Sequence, residues 1–259
     1  MTEDISKLFS QYRKWNSIGL TDNDGVVVAS DLQQEWLLPW WWENYRRFNF
    51  HPVVFIDFGM SKEMRAWCQE RGALIPLLVP DIFVASKEEM DPDLVVRMEE
   101  ETGKMFWSYR NAWFKKPLAC LQSPFKRTLW IDLDCQIRGY LGNLFESFGD
   151  GLSMTRYPNP TMPYPIYNSG IIVFKHGLSV FEAWADLCIE QNHLFRGDED
   201  ILAWLLKDQN TVVQLPAIYN WSRCFEDNPG AIVFHWHGAK GKYCIHHQIM
   251  SSNLQSLGF

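Results

Sequence analysis

Residues 126–137 read KRTLWIDLDCQI, an apolar run of Leu129, Trp130 and Ile131 that stops against two carboxylates, Asp132 and Asp134. In an extended chain alternate side chains share a face, so the two acids are expected to point the same way while Leu133 turns back to the core. Two like charges held together cost free energy unless a cation, a proton or a hydrogen-bond donor offsets them, and a divalent metal does this best. On this reading, removing either acid relieves repulsion and leaves the metal-free protein at least as stable. A solvated strand end would carry the same two residues, so the pair gains meaning only from what accompanies it.

The chain has 259 residues, 47% of them apolar and 21% charged, which fits an ordinary globule with a sizeable core. A net charge of −7 and a pI near 5.5 argue against a sequence-independent grip on nucleic acid or an anionic membrane. The first residues, MTEDISKLFSQYRKW, are too polar for a signal peptide. No apolar run reaches the roughly 18 residues that span a bilayer, so no transmembrane segment is expected and a cytoplasmic protein is. The six cysteines are scattered without a Cys-x-x-Cys pair, and neither a zinc site nor a redox motif is indicated. The thirteen tryptophans, three of them consecutive in LLPWWWENY, suit sugar faces but more often fill cores.

Strand-like runs alternate with helical patterns: GVVVASD, EWLLPWWWENYRRF, PVVFIDFG, SKEMRAWCQERG, ALIPLLV. That alternation predicts βαβ units, an α/β fold with a Rossmann-like, mostly parallel sheet flanked by helices. Further strands are expected at GLSMTRY, NSGIIVFKHG, TVVQLP and AIVFHWHG, with helices over about 178–192 and 199–208. No linker interrupts the pattern. The expectation is a single domain: an extension over 1–24, a nucleotide-binding half over 25–137 ending in Asp-x-Asp, and a donor-sugar and acceptor half over 138–259. The loop RYPNPTMPYPIYNSG is expected to be either a binding rim or a plain connector.

Three more motifs follow the acid pair. In YNSGIIVF, Asn168 and Ser169 precede Gly170, which permits close backbone approach while the amide can both donate to and accept from a hydroxyl; a simple turn is the other reading. In GDEDILAWLL, Asp198, Glu199 and Asp200 crowd a helix start, more acids than capping requires, and a carboxylate there could bind sugar hydroxyls or act as nucleophile or base. In VFHWHGAKGKY, His235 and His237 alternate on a strand end ahead of Gly238, Lys240 and Lys242, joining an imidazole that suits Mn²⁺ to cations that suit phosphate.

Taken in order, these motifs resemble those of the nucleotide-sugar glycosyltransferases of the glycogenin and lipopolysaccharide galactosyltransferase family, which have the glycosyltransferase A fold. The resemblance covers about residues 25–243. It implies Asp132, Asp134 and His235 as metal ligands, with Mn²⁺ the expected ion and Mg²⁺ the alternative. It implies donor contacts at Ala29, Ser30 and Asp31 for base and ribose, at Asn168 and Ser169 for the sugar, and at Lys116, with Lys115 next, for the diphosphate. Asp132, Gly238 and one of Lys240 and Lys242 join that donor set, and Asp198 and Glu199 become the catalytic candidates. Two departures stand out: the family's C-terminal lysine falls at Gly241, and the middle glutamine of the acidic triplet is Glu199.

The implied activity is metal-dependent transfer of a sugar from a nucleoside diphosphate, UDP first and GDP second, to a hydroxyl of a glycan, glycolipid or protein, with retention of configuration. KPLACLQSPFKRTLWIDLD is also similar to the yeast-type mannosyltransferases, which leaves sugar and base open. A sugar nucleotidyltransferase and an inactive sugar-binding protein of the same fold are the alternatives.

Overall fold

The computed structural model describes residues 21–77, 84–157 and 166–251. Residues 1–20 of the extension expected over 1–24 and the centre of the proline-rich loop, 158–165, lie outside the described residues, while 21–24 belong to the first strand. Ten strands are described: β1 Thr21–Ser30, β2 Val53–Asp57, β3 Ala73–Pro76, β4 Phe125–Ile131, β5 Cys135–Ile137, β6 Leu152–Arg156, β7 Tyr167–Lys175, β8 Val212–Gln214, β9 Trp221–Ser222 and β10 Val233–His235. The α-helices are α1 Leu38–Arg46, α2 Lys62–Gln69, α3 Pro92–Thr102, α4 Trp107–Leu121, α5 Asn143–Phe148, α6 Ser179–Glu190, α7 Asp198–Leu206 and α8 Gly238–Ser251.

Seven strands form the main sheet in the order β3-β2-β1-β4-β7-β6-β8, and β5-β10-β9 form a small second sheet. β3, β2, β1 and β4 run parallel, as the βαβ pattern predicts, and β6 and β8 also pair in parallel. β7 departs from that pattern by lying antiparallel to both β4 and β6. Its insertion joins the two halves of the sequence in one sheet, with Leu129 opposite Val173 and Ile131 opposite Ile171. β1 has β2 on one side and β4 on the other, so the strand order reverses there and leaves a crevice at the carboxyl ends of β1 and β4.

Both faces of the sheet are covered. Leu129 and Ile131 point into a core with Trp41, Tyr45 and Phe55, while Trp130 between them points into the opposite core with Phe114, Leu118 and Trp184. The alternation is the period of two that an extended strand imposes. The tryptophan triplet belongs to the first core: Trp41 is fully buried and stacks on Tyr45 with ring centroids 5.1 Å apart. α4 runs across the second face and contains Pro117, which removes one helical hydrogen bond. Burial of Phe114, Lys116, Leu118 and Ala119 along it holds the helix to the sheet and fixes where its lysine emerges.

At the far end of the sheet from the crevice, Arg127 makes two hydrogen bonds to Asp24, at 2.7 and 2.6 Å, and a third to the Phe145 carbonyl at 3.0 Å, tying β1, β4 and α5 together. Among the described residues no helix is long and apolar enough to cross a membrane, and all six cysteines are free.

Phe114 is fully buried beneath the helix that carries Lys116. Phe114→Ala is expected to cost about 3–5 kcal/mol, measured by urea denaturation, because the surrounding core can collapse only partly into the space left.

Candidate functional site

β4 ends at Ile131, and the chain then turns: the Cys135 amide donates to the Asp132 carbonyl at 3.1 Å. Asp132 and Asp134 therefore sit on a tight turn between β4 and β5, and the expectation of two acids sharing one strand face is corrected. Their carboxylates also do not confront each other unrelieved. Asp132 Oδ2 accepts from Lys116 Nζ at 3.1 Å and Oδ1 from Trp130 Nε1 at 2.7 Å. Asp134 Oδ2 accepts from Lys242 Nζ at 2.9 Å, and Oδ1 lies 3.2 Å from His235 Nε2.

Lys116 is the hub. Its buried Nζ also donates to Ser169 Oγ at 2.7 Å and to the Ser169 carbonyl at 3.2 Å, and lies 3.5 Å from Asp198 Oδ2. Burial works against the ammonium charge, but Asp132, Asp198 and Glu199 outweigh it and raise the pKa above the usual lysine value. Lys115, the neighbouring candidate, points elsewhere and reaches the Phe58 carbonyl at 3.4 Å.

Asn168, Ser169 and Gly170 lie inside β7 rather than in a turn. Gly197 holds the N-cap position of α7, and the Asp198 carboxylate, instead of capping the helix, accepts from Ser169 Oγ at 3.0 Å. Glu199 Oε1 accepts from the Ser169 amide at 2.7 Å and from its hydroxyl at 3.2 Å. One ammonium thus serves three carboxylates. Burial and then the Asp198 charge push the Glu199 carboxyl up to about 7, against Lys116 and the Ser169 amide, so this side chain holds a proton for part of the time near neutrality. Asp200 pairs with Arg196 at 2.9 Å, and both line the cleft.

His235, at the end of β10, is aimed by its neighbours. Its Nδ1 meets Asn220 Oδ1 at 3.0 Å and Asn168 Oδ1 at 3.2 Å, which turns Nε2 toward Asp134. Such outer partners orient a histidine that ligates a metal. Gly170 is required for this arrangement, since a Cβ there would lie 2.3 Å from His235 Cε1. His237 follows a different course: its Nε2 pairs with Ser222 Oγ at 2.7 Å, away from Asp134.

Asp134, Cys135 and His235 form a buried group whose ligand atoms lie within 4.8 Å of one another. Burial and the adjacent carboxylates hold the Cys135 thiol well above its ordinary pKa in the metal-free protein, and Asp132, the third expected ligand, lies outside this group. Such a set suits a hard or borderline divalent ion, and the orientation of His235 fits it.

Gly238 opens α8 with φ +77°, in the left-handed region that glycine tolerates. Three residues on, a Cβ at Gly241 would fall 1.3 Å from the Trp236 carbonyl oxygen. No side chain fits there, which explains in physical terms why the lysine stands one position later. Lys242 lines the cleft, with its Nζ also 4.8 Å from the Tyr109 ring centroid, whereas Lys240 is exposed and does not line it.

These groups surround a cleft of about 450 Å³, continuous with a smaller pocket of about 90 Å³ at the end of β1. Ala29, Ser30 and Asp31 line the smaller pocket, and Lys116, Asp132, Asp134 and Lys242 border both. Sequence reasoning missed Tyr109, Trp113, Tyr157, Arg196 and Arg223, which also line the cleft. Tyr109, Trp113 and Lys116 are spaced by four and three on α4, so the helical period carried a signal for the first two. Tyr157 falls in the proline-rich loop expected to be a binding rim or a connector, and no local pattern marks Arg196 and Arg223.

Neither a protein-family model nor a curated protein matches the sequence. Solved structures do. A crystal structure of the galactosyltransferase LgtC with donor and acceptor sugar analogues superposes with a TM-score of 0.56 at 15% identity, covering 83% of this chain and 87% of that one. An active-site mutant of LgtC gives 0.56 at 14% identity over 88% and 95%. The glycosyltransferase GlyE of Streptococcus pneumoniae gives 0.55 at 18% identity, and this chain spans 55% of its length. At such identities the likeness is one of fold: the chain has the α/β glycosyltransferase A fold, as the motifs imply.

The pairing around Asp134 reverses one expectation. Asp134→Ala strands the largely buried Lys242 ammonium without its counter-charge, so it destabilises the metal-free protein, by about 3 kcal/mol, instead of relieving repulsion. Urea denaturation of Asp134→Ala, Lys242→Met and the double variant checks this, with the double variant expected to recover much of the loss. Glu199 has the opposite sign. Its carboxyl titrates higher in the folded chain than in the unfolded one, so its contribution to stability is present below the ordinary value of 4.5 and is lost as pH rises through about 7. Glu199→Gln should therefore gain stability relative to the parent as pH is raised from about 5 to about 8.

Proposed function

We propose that the protein is a metal-dependent glycosyltransferase that moves a sugar from a nucleoside diphosphate to an acceptor hydroxyl with retention of configuration. The observation that carries this reading is the meeting in one cleft of two strand-end carboxylates, an oriented imidazole, two lysines and a buried acidic helix start. The fold shared with LgtC and GlyE supports it.

Ala29, Ser30 and Asp31 would receive base and ribose, UDP being favoured and GDP the alternative. Asp132, Asp134 and His235 would hold Mn²⁺, or Mg²⁺, which supplies charge to the departing diphosphate. Lys116 and Lys242 deliver ammonium charge to the same place. Gly238 lets the chain approach closely there, and Asn168, Ser169 and Asp198 order the donor-sugar side. Glu199, held by the Ser169 amide and part-protonated near neutral pH, is a weak nucleophile and a suitable partner for a sugar hydroxyl, so departure and attack on the same face suit it better than a covalent intermediate.

The nucleotidyltransferase alternative calls for free backbone amides after the first strand to cradle phosphates. Here Asp31 Oδ1 already accepts from the Gln33 and Gln34 amides, at 3.0 and 2.9 Å. The shared sheet formed by β4 and β7 supports a single domain, and six free cysteines support a cytoplasmic setting.

UDP or GDP with Mn²⁺ should raise the melting temperature, because a ligand that prefers the native state stabilises it. Lys242 occupies Asp134 in competition with a metal, so Lys242→Met should tighten Mn²⁺ binding without nucleotide and weaken binding of the diphosphate. Calorimetric titration reads both. No response of the parent to any nucleoside diphosphate, with or without metal, would refute the proposal.

A further inference from the structure

The cleft continues past the acidic helix start. Beyond Tyr157 lies a hollow of about 250 Å³ walled by Thr155, Arg156, Tyr157, Trp221 and Phe225. It shares Tyr157 and Asn168 with the main cleft and no residue with the pocket at the end of β1. The three spaces therefore lie in series, with the carboxylates, lysines and His235 in the middle one. If the end at β1 takes the nucleotide, the part of an acceptor remote from its reacting hydroxyl is left with the opposite end.

The walls of this hollow are specific. The β6–β7 register slips between Met154, opposite Ile172, and Thr155, opposite Asn168. Such an irregularity re-aims side chains. Thr155 Oγ1 is buried at the wall of the hollow and has no partner among the described residues, a cost that a hydroxyl of a bound molecule would offset. Trp221 and Phe225 meet edge to face, with centroids 5.7 Å apart and planes at 70°. The Trp221 indole is fixed by its Nε1 hydrogen bond to the Glu226 carbonyl at 2.9 Å, while Phe225 remains 41% exposed. A rigid aromatic corner left open to water is poor core and good stacking surface.

We propose that this hollow is an acceptor subsite for a second sugar ring, so that the acceptor is a glycoside of at least two sugars. The inference rests on the glycosyltransferase reading. A sugar ring offers an apolar face of C–H groups to the Trp221–Phe225 corner and a rim of hydroxyls to Thr155 Oγ1 and the Arg156 guanidinium. An alkyl chain would fill the aromatic corner but leave both polar groups without partners.

The test uses the full chain and ligand-observed saturation-transfer NMR. Glucose, galactose and mannose are compared with maltose, cellobiose and melibiose, in the parent and in Trp221→Ala, Phe225→Ala and Thr155→Val. Acceptor-free hydrolysis of a nucleotide sugar is followed alongside. The subsite predicts that at least one disaccharide binds more tightly than any of the monosaccharides, that the two aromatic variants lose about tenfold of that affinity, and that Thr155→Val, which keeps the shape, lowers it too. Donor hydrolysis should stay unchanged in all three variants. Disaccharides that bind no better than monosaccharides, or a preference insensitive to Trp221 and Phe225, overturn the subsite while intact donor hydrolysis leaves the transferase reading standing. A parent that neither binds nor hydrolyses any nucleotide sugar overturns that reading, and the subsite with it.

Discussion

A single buried ammonium organises the centre of this molecule. Lys116 leaves α4 between the two halves of the sheet and meets Asp132 from the turn after β4, Ser169 from β7 and Asp198 from α7. Three elements distant in sequence are thereby held to one point, and each brings a carboxylate or a hydroxyl that would be costly to bury alone. Burial and then the neighbouring Asp198 charge are why Glu199 retains a proton so far above the usual carboxylate range. Polar networks of this kind are stable only while nearly every member is satisfied, so the site is also a structural joint.

The second cation, Lys242, does the corresponding work for Asp134 from the opposite side of the cleft. Its position follows from a steric fact one residue earlier. Because the Trp236 carbonyl fills the space where a Gly241 side chain would stand, the helix can offer its lysine only at the next place along. Both acids of the pair are consequently neutralised before any ligand arrives. On the proposed reading, a divalent ion would exchange with these cations rather than fill bare charge, and the displaced lysine would stay close enough to serve a diphosphate. Charge that is already assembled needs little reorganisation when a leaving group develops its own.

Much of this was legible in the chain and some was not, for identifiable reasons. The strands betray themselves by period and β-branched content, and the order Asp132–Asp134, Asn168–Gly170, Asp198–Asp200, His235–Gly238 survives as one cleft because each motif abuts a regular element. The antiparallel run of β7 was hidden, since strand direction leaves no mark on local sequence. The acid pair was misjudged because strand periodicity was extended beyond Ile131 as far as Asp134, across a stretch where the chain turns. Its stability was misjudged because the partners, Lys116 and Lys242, lie 16 and 108 residues away. Tyr109 and Trp113 shared a helical face with Lys116 and could have been found, and Tyr157 sits in the loop expected as a rim or connector; Arg196 and Arg223 enter the cleft through tertiary folding alone.

The account stands or falls on what occupies the space between Asp134 and His235 when a donor is bound. Crystals grown with Mn²⁺ and UDP or GDP, measured at the manganese absorption edge, answer this directly. The account predicts an anomalous peak ligated by Asp132, Asp134 and His235, with the Lys242 ammonium moved from Asp134 to the diphosphate. A diphosphate bound with no metal at those residues, and Lys242 still on Asp134, would contradict it.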